Sequence, residues 1–387
     1  MASVGAVRAS FLALGLFWGS WAVSIADVQR TFHLSDGTLG ALLAVAVGVA
    51  AVTGAVAGHR AERWGTGPML AGSLLVWAVL LAAAGVARPW PVFAVCFCLA
   101  EVACGVVDTA MNAAASRRLA GRPGALVRFH ALFNMGALAG AAVAGGVLAL
   151  GGTWRWLWPA LAVAVGALGL WARRTGAPEE ATGAVTGGEA GPALRPVARL
   201  RADGLLLFLL VFALAEVAEG GVDTWGVLYL RTHLASGVLL GAGAYVVGQS
   251  VAATTRGAGG PAIGVLSARW ALVVGGAAAS GGILLESLSP AAVAAACGLA
   301  VGAGGASLFW PLVMSQVTRQ ATRATAAVGA FTAAGYVGWV AGAPLVGWVS
   351  DTWGAARGLQ LLAAMAVVVV VASLLRRDDR SGRAKAG

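Results

Sequence analysis

Charge is what this sequence has least of. Asp, Glu, Lys and Arg make up 11% of its 387 residues, against about 25% in a soluble globular domain. So few charges cannot cover a water-facing surface on a chain this long. An ordinary soluble fold is excluded, and a lipid bilayer becomes the expected surrounding. Lysine is nearly missing, with Lys385 alone among 26 basic residues. Cysteine is scarce too. Cys96, Cys98, Cys104 and Cys297 all sit inside apolar runs, without the paired polar spacing of a zinc site. No metal and no cofactor is expected. Long polar loops are also lacking, and no nucleophile–base spacing appears, so the chain is not expected to be an enzyme.

What is present is 59% hydrophobic residue, with 57 glycines and 15 tryptophans. The net charge of +10 is broken into short clusters between apolar runs. That distribution argues against nucleic acid as a partner, because binding it takes a continuous basic patch.

Twelve runs approach the roughly 20 apolar residues that a membrane-crossing helix needs. They cover 10–27, 37–57, 67–87, 91–114, 130–150, 154–172, 205–226, 237–255, 270–288, 291–314, 325–348 and 356–375. The first, behind Arg8, imitates a signal peptide, but eleven more follow it and it reads as an uncleaved helix. The expected fold class is therefore an all-α integral membrane protein with twelve spans. With the N-terminus inside, Arg30, Arg88, Arg155, Arg231 and Arg357 are the five basic residues outside, and the other 21 of 26 lie inside. This is the positive-inside pattern. It predicts a multi-pass protein of the cytoplasmic membrane with both termini in the cytoplasm.

One long polar segment interrupts the runs. Residues 173–203 carry Glu179, Glu180, Gly187, Gly188 and Glu189, which is linker chemistry. It divides a six-helix bundle over 1–172 from a second over 204–375, with a tail over 376–387. The halves carry traces of a repeat. Arg30-Thr31-Phe32-His33 stands ten residues before Gly40, and Arg231-Thr232-His233 stands ten before Gly241.

Ionisable groups inside a span cost about 2.5–3.5 kcal/mol each at a helix centre and persist where they face a cavity or a partner. The fourth run holds Glu101 and Asp108, and the seventh holds Glu216, Glu219 and Asp223. Seven residues is nearly two helical turns, so each set shares one face. A carboxyl group kept from water favours its neutral form, which suits it to take up and release a proton. Glu101, Glu216 and Glu219 are the leading candidates for coupling protons to solute, with Asp108 and Asp223 nearer the helix ends.

Asn112 and His130 flank one end of the fourth and fifth runs together with Asn134, and His130 is a candidate proton relay. Trp18, Trp21, Trp225 and Trp310 lie within or at the ends of spans, as does Trp339. Interface anchoring accounts for most such tryptophans, while Trp18 and Trp21, three apart, offer a stacking wall. Gln249 and Tyr336 add polar groups that a mostly apolar pocket needs to orient a ligand. Gly136 and Gly140, four apart, allow close helix approach.

Between the second and third runs stands Gly58-His-Arg-Ala-Glu62-Arg63-Trp-Gly65. It resembles the loop signature of the major facilitator superfamily, in which acid and base latch one conformational state. Glu62 and Arg63 match it, the closing basic pair is replaced by Thr66 and Gly67, and Arg118 or Arg117 is a possible partner for Glu62. Arg256-Gly-Ala-Gly-Gly-Pro261, the matching loop of the second half, lacks the acid. Gly15 to Trp21 with Asp27, Gly105 to Asn112, and Asp223 to Arg231 resemble MosC-like bacterial members of that superfamily. The resemblance implies two pseudo-symmetric six-helix bundles around a site near the midplane, bounded by helices 1, 4, 5, 7, 8, 10 and 11. It adds Asp27 to the candidates for contact with cargo or proton.

The expected function is thus secondary active transport of a small solute, a polar or sugar-like one, by a monomer coupled to protons. Two alternatives stay open. One is a proton-driven exporter of drugs or secondary metabolites. The other is a membrane receptor or scaffold that transports nothing.

Overall fold

The computed structural model describes residues 3–118, 123–176, 200–202, 204–265, 267–321 and 324–375. Among them the secondary structure is helical, without a strand. In chain order the helices are α1 (Val4–Phe32), α2 (Asp36–Trp64), α3 (Thr66–Val86), α4 (Trp90–Arg118), α5 (Pro123–Ala149) and α6 (Trp154–Thr175). There follow α7 (Leu206–Thr232), α8 (Val238–Val265), α9 (Ala268–Leu288), α10 (Ala292–Ala306), α11 (Phe309–Gln320), α12 (Ala324–Trp353) and α13 (Ala355–Leu375).

Among the described residues, eleven segments are long and apolar enough to cross a membrane, with α10 and α11 joined into one over Ala292–Val317. The twelfth expected run lies in α7, whose 27 residues include Glu216, Glu219, Asp223 and Arg231. That charge is what sets it apart from the others. Most helices overrun their apolar runs, α7 to Thr232 and α8 to Val265. Hydropathy marks the oily stretch only, while the helical hydrogen-bond ladder runs on into the interface.

The tenth run differs in kind. It was expected as one helix over 291–314 and is two, parted at Ser307 and Leu308. Pro311 explains the break. It has no N–H to give Ser307, and its ring crowds that carbonyl.

The chain forms two compact units. The first holds Met1–Gly187 together with Val227–Val246 and Ala343–Thr352. Its centre is aromatic. Phe17, Trp77, Phe93, Phe97, Trp154 and Trp158 are each at most 1% exposed. Packing rather than oil-exclusion drives such contacts in a membrane, and small residues permit them. Gly136 and Gly140 of α5 lie against the backbone of Leu12 and Leu16, while Gly15 and Gly19 of α1 lie against Phe133 and Ala137. A Cβ at any of the four would collide with backbone, so the seam between α1 and α5 is glycine on both sides.

The second unit holds Gly188–Gly226, Val247–Gly342 and Trp353–Gly387. Its centre gathers Phe212, Phe309, Leu312 and Phe331, all fully buried. Gly282, Gly298 and Gly305 bring α9 and α10 together backbone to backbone.

Candidate functional site

Within the second unit, α7 carries a row of three carboxyl groups. Glu216 and Asp223 stand seven residues apart, about 10 Å along a helix, with Glu219 between them. Glu216 is 2% exposed. Gly335 and Gly338 of α12 lie against its Cγ and Cβ, where any side chain would intrude. Glu219 accepts a hydrogen bond from Arg256 Nη2 of α8 and forms an ion pair with it. Asp223 Oδ1 accepts from Gln249 Nε2 of α8 at 3.0 Å. The row therefore sets three acids against one guanidinium and one amide. Glu219 keeps 12% of its side chain exposed and Arg256 keeps 40%; Asp223 is likewise only part-buried, while Glu219 Oε2 is buried without a hydrogen-bond partner.

Aromatic residues flank the row. Trp310, on the first turn of α11, meets Phe212 edge-on at 5.4 Å and Tyr336 of α12 at 6.2 Å. Tyr336 is itself exposed. Trp225 is buried at 3% and its indole N–H finds no acceptor. A small apolar crevice of about 20 Å³ opens elsewhere in this unit, among Phe208, Phe212, Phe309, Arg269 and Val369. It has room for little more than a water molecule, which is too small for a cargo.

The first unit treats its acid differently. Glu101 on α4 is 1% exposed, and neither oxygen has an oxygen or nitrogen donor; its contact is the weakly donating Cys104 thiol. One turn away, Phe97 stacks on Trp21 at 4.8 Å and on Trp158 at 5.9 Å. Trp21, expected as a stacking wall for a ligand, is instead 3% exposed and packed into this aromatic core. Trp18 stays half-buried beside Phe17. Asp108 lies two turns beyond Glu101, and Asn112 Nδ2 donates to its Oδ1 at 2.9 Å and to its carbonyl at 3.0 Å. That bond ties the two to each other on one helix.

At the end of α1 the two arginines of the sequence repeat converge on one carboxylate. Arg30 Nη2 lies 2.9 Å from Asp27 Oδ1, and Arg231 Nη1 lies 2.5 Å from Asp27 Oδ2. Arg231 also donates to the Val23 carbonyl at 2.6 Å. Its side chain is 2% exposed, although the sequence placed it in a loop. Nearby, Gln29 donates to Asp36 at 2.6 Å and Ser35 donates to Asp351 at 2.7 Å. Asp27 thus sits in an ion-pair cluster that joins α1 to the end of α7.

The latch motif is partly described. Gly58 is exposed in α2, and Gly65 takes the positive φ of 75° that ends α2 and starts α3, a conformation suited to glycine. The side chains of Glu62, Arg63, Arg118 and His130 lie outside the described residues.

Three groups lie outside the site residues expected from the sequence. Arg231 stood there in the repeat and Arg256 in a loop motif, neither as a site residue. Glu286 on α9 is fully buried, neither of its oxygens has a partner, and a Cβ at Gly226 of α7 would lie 3.1 Å from Oε1. The rule that singled out Glu101, an acid inside an apolar run, applies equally to it. Among the described residues no group of three or more His, Cys, Asp or Glu stands close enough to hold a metal ion.

A family model described as the Major Facilitator Superfamily matches residues 9–343. Membrane protein MosC of Rhizobium meliloti is 26% identical over 400 residues, covering 98% of this chain and 92% of that protein. An uncharacterized MFS-type transporter of Yersinia pestis is 26% identical over 352 residues, covering 89% and 88%. Among solved structures, the nucleoside transporter NupG superposes with a TM-score of 0.78 at 15% identity, covering 96% of this chain and 98% of that one. The xylose transporter XylE of E. coli gives 0.68 at 13% identity, covering 98% of each. At such identities these structures attest to the fold alone.

Proposed function

Because the chain belongs to the Major Facilitator Superfamily, a family of membrane transporters and not of enzymes, we propose that it moves a small polar solute across the cytoplasmic membrane by alternating access, coupled to protons. The observation that carries this reading is the acid row of α7, and within it Glu219. Three carboxyl groups face one guanidinium in a membrane-crossing helix, so the row as a whole is short of positive charge. A proton or a cationic group fills that deficit. Glu219 is the group best placed to exchange it, since one of its oxygens is ion-paired with Arg256 while the other is buried without a hydrogen-bond partner.

One amide and three acids beside an aromatic pair suit a polar cargo that needs oriented hydrogen bonds. Asp27 and Arg231 serve a different role in this reading. They form a clasp at the outer membrane face, closed here by ion pairs from both repeat arginines. In this reading the termini lie in the cytoplasm, which the arginine distribution supports.

The test uses purified protein in liposomes with a trapped pH-sensitive dye. Sugars, polyols, amino acids and nucleosides are added outside in turn. At least one solute should drive a dye response with the native chain and none with Glu219→Gln. A panel that moves no protons, or a Glu219→Gln response equal to the native one, would sink the proposal.

A further inference from the structure

The break between α10 and α11 is held by the same arginine that pairs with Glu219. Pro311 leaves the Ser307 carbonyl without its helical partner. Arg256 Nε donates to that carbonyl at 3.1 Å while Nη2 of the same guanidinium donates to Glu219. Ser307 is fixed to α8 a second time, since its hydroxyl donates to Gly304 O at 2.8 Å and reaches Ala252 O at 3.4 Å. Ala252 and Arg256 are one turn apart on α8. A single side chain therefore bridges the acid row of α7 and the discontinuity that starts α11. Immediately after the discontinuity comes Trp310, packed on Phe212 and Tyr336.

We propose that Arg256 is a positioning residue that links the charge on Glu219 to the bend at Ser307 and Leu308. While Glu219 is ionised, it aims the guanidinium at the Ser307 carbonyl and the bend is fixed. When a proton neutralises Glu219, the guanidinium loses its anchor, the Ser307 carbonyl loses its donor, and the turn carrying Trp310 is free to shift. The charged neighbours that act on Glu219 are Glu216 and Asp223 on its own helix and Arg256 on α8. The α8 amide Gln249 is engaged with Asp223. This inference rests on Glu219 as the proton-exchanging group, and its test needs no transport.

Hydrogen exchange of the Ser307, Leu308 and Leu312 amides is measured by mass spectrometry on the full-length protein in detergent. In the native fold these amides donate to Ala303, Gly305 and Leu308. Glu219→Gln and Arg256→Gln should each raise exchange there roughly tenfold, the size of one charge-assisted hydrogen bond, and the double variant should raise it no further. Pro311→Ala returns an N–H to the Ser307 carbonyl and should make the segment insensitive to Glu219→Gln. Glu286→Gln, an acid outside this contact, should leave the segment unchanged. Unchanged exchange in Glu219→Gln overturns the link, even if Arg256→Gln raises it, because the arginine would then brace Ser307 irrespective of Glu219. A positive exchange result with no proton-driven transport would leave the link standing and remove the coupling proposal instead.

Discussion

The helices α4 and α7 share a pattern, Ala-Glu-Val-Ala followed by Asp-Thr seven residues after the glutamate, yet their acids have different surroundings. Glu101 of α4 is buried in the first unit, and among the described residues neither of its oxygens has an oxygen or nitrogen donor. On α7, Glu219 meets Arg256 and Asp223 meets Gln249. The difference lies in what the neighbouring helices bring. One turn from Glu101, Phe97 packs on Trp21 and Trp158, rings without charge, whereas α8 gives the α7 row a guanidinium and an amide. A shared local motif therefore fixes where an acid sits along its helix and leaves its chemistry to residues far off in the chain.

The largest effect that would sharpen this contrast is structural. Phe97→Ala removes the ring stacked between Trp21 and Trp158 and should lower stability by about 3–5 kcal/mol, read as an earlier thermal unfolding in detergent. An unaltered transition would mean that the ring stack beside the α4 acid does not hold the first unit together. Arg256→Gln comes next. It strips Glu219 of its ion-pair partner and should cost roughly 1.5–3 kcal/mol, the range of a charged hydrogen bond, with partial rescue by Lys. Solvent access to Arg256 places the loss toward the lower end. The smallest effect is expected at the unpaired acids. Glu101→Gln and Glu286→Gln keep size and lose no ion pair, so each should shift stability by no more than about 1 kcal/mol. A large loss at either would reveal a cationic partner and erase the distinction from α7.

Much of the fold was legible because bilayer thickness and arginine bias act on long stretches of sequence. The glycine pair Gly136 and Gly140 announced a close helix contact, and α1 supplies it. The matching Gly15 and Gly19 were overlooked, since spacing on one helix does not name its partner. The break at Pro311 could be anticipated from proline's missing N–H, but hydropathy is blind to hydrogen bonds and read one run. Arg231 illustrates what sequence alone conceals. Its partner Asp27 lies 204 residues away, and nothing local distinguishes a buried arginine from a loop charge. Glu286 was legible by the same rule as Glu101 and was passed over.

The account turns on Glu219, and one paired measurement decides it. Proteoliposomes bearing Glu219→Gln or Glu101→Gln are compared for uptake driven by an imposed pH gradient and for solute exchange at equal pH. Glu219→Gln should lose the gradient response while exchange persists, and Glu101→Gln should retain both. Gradient-driven uptake that survives Glu219→Gln and vanishes with Glu101→Gln would contradict the account.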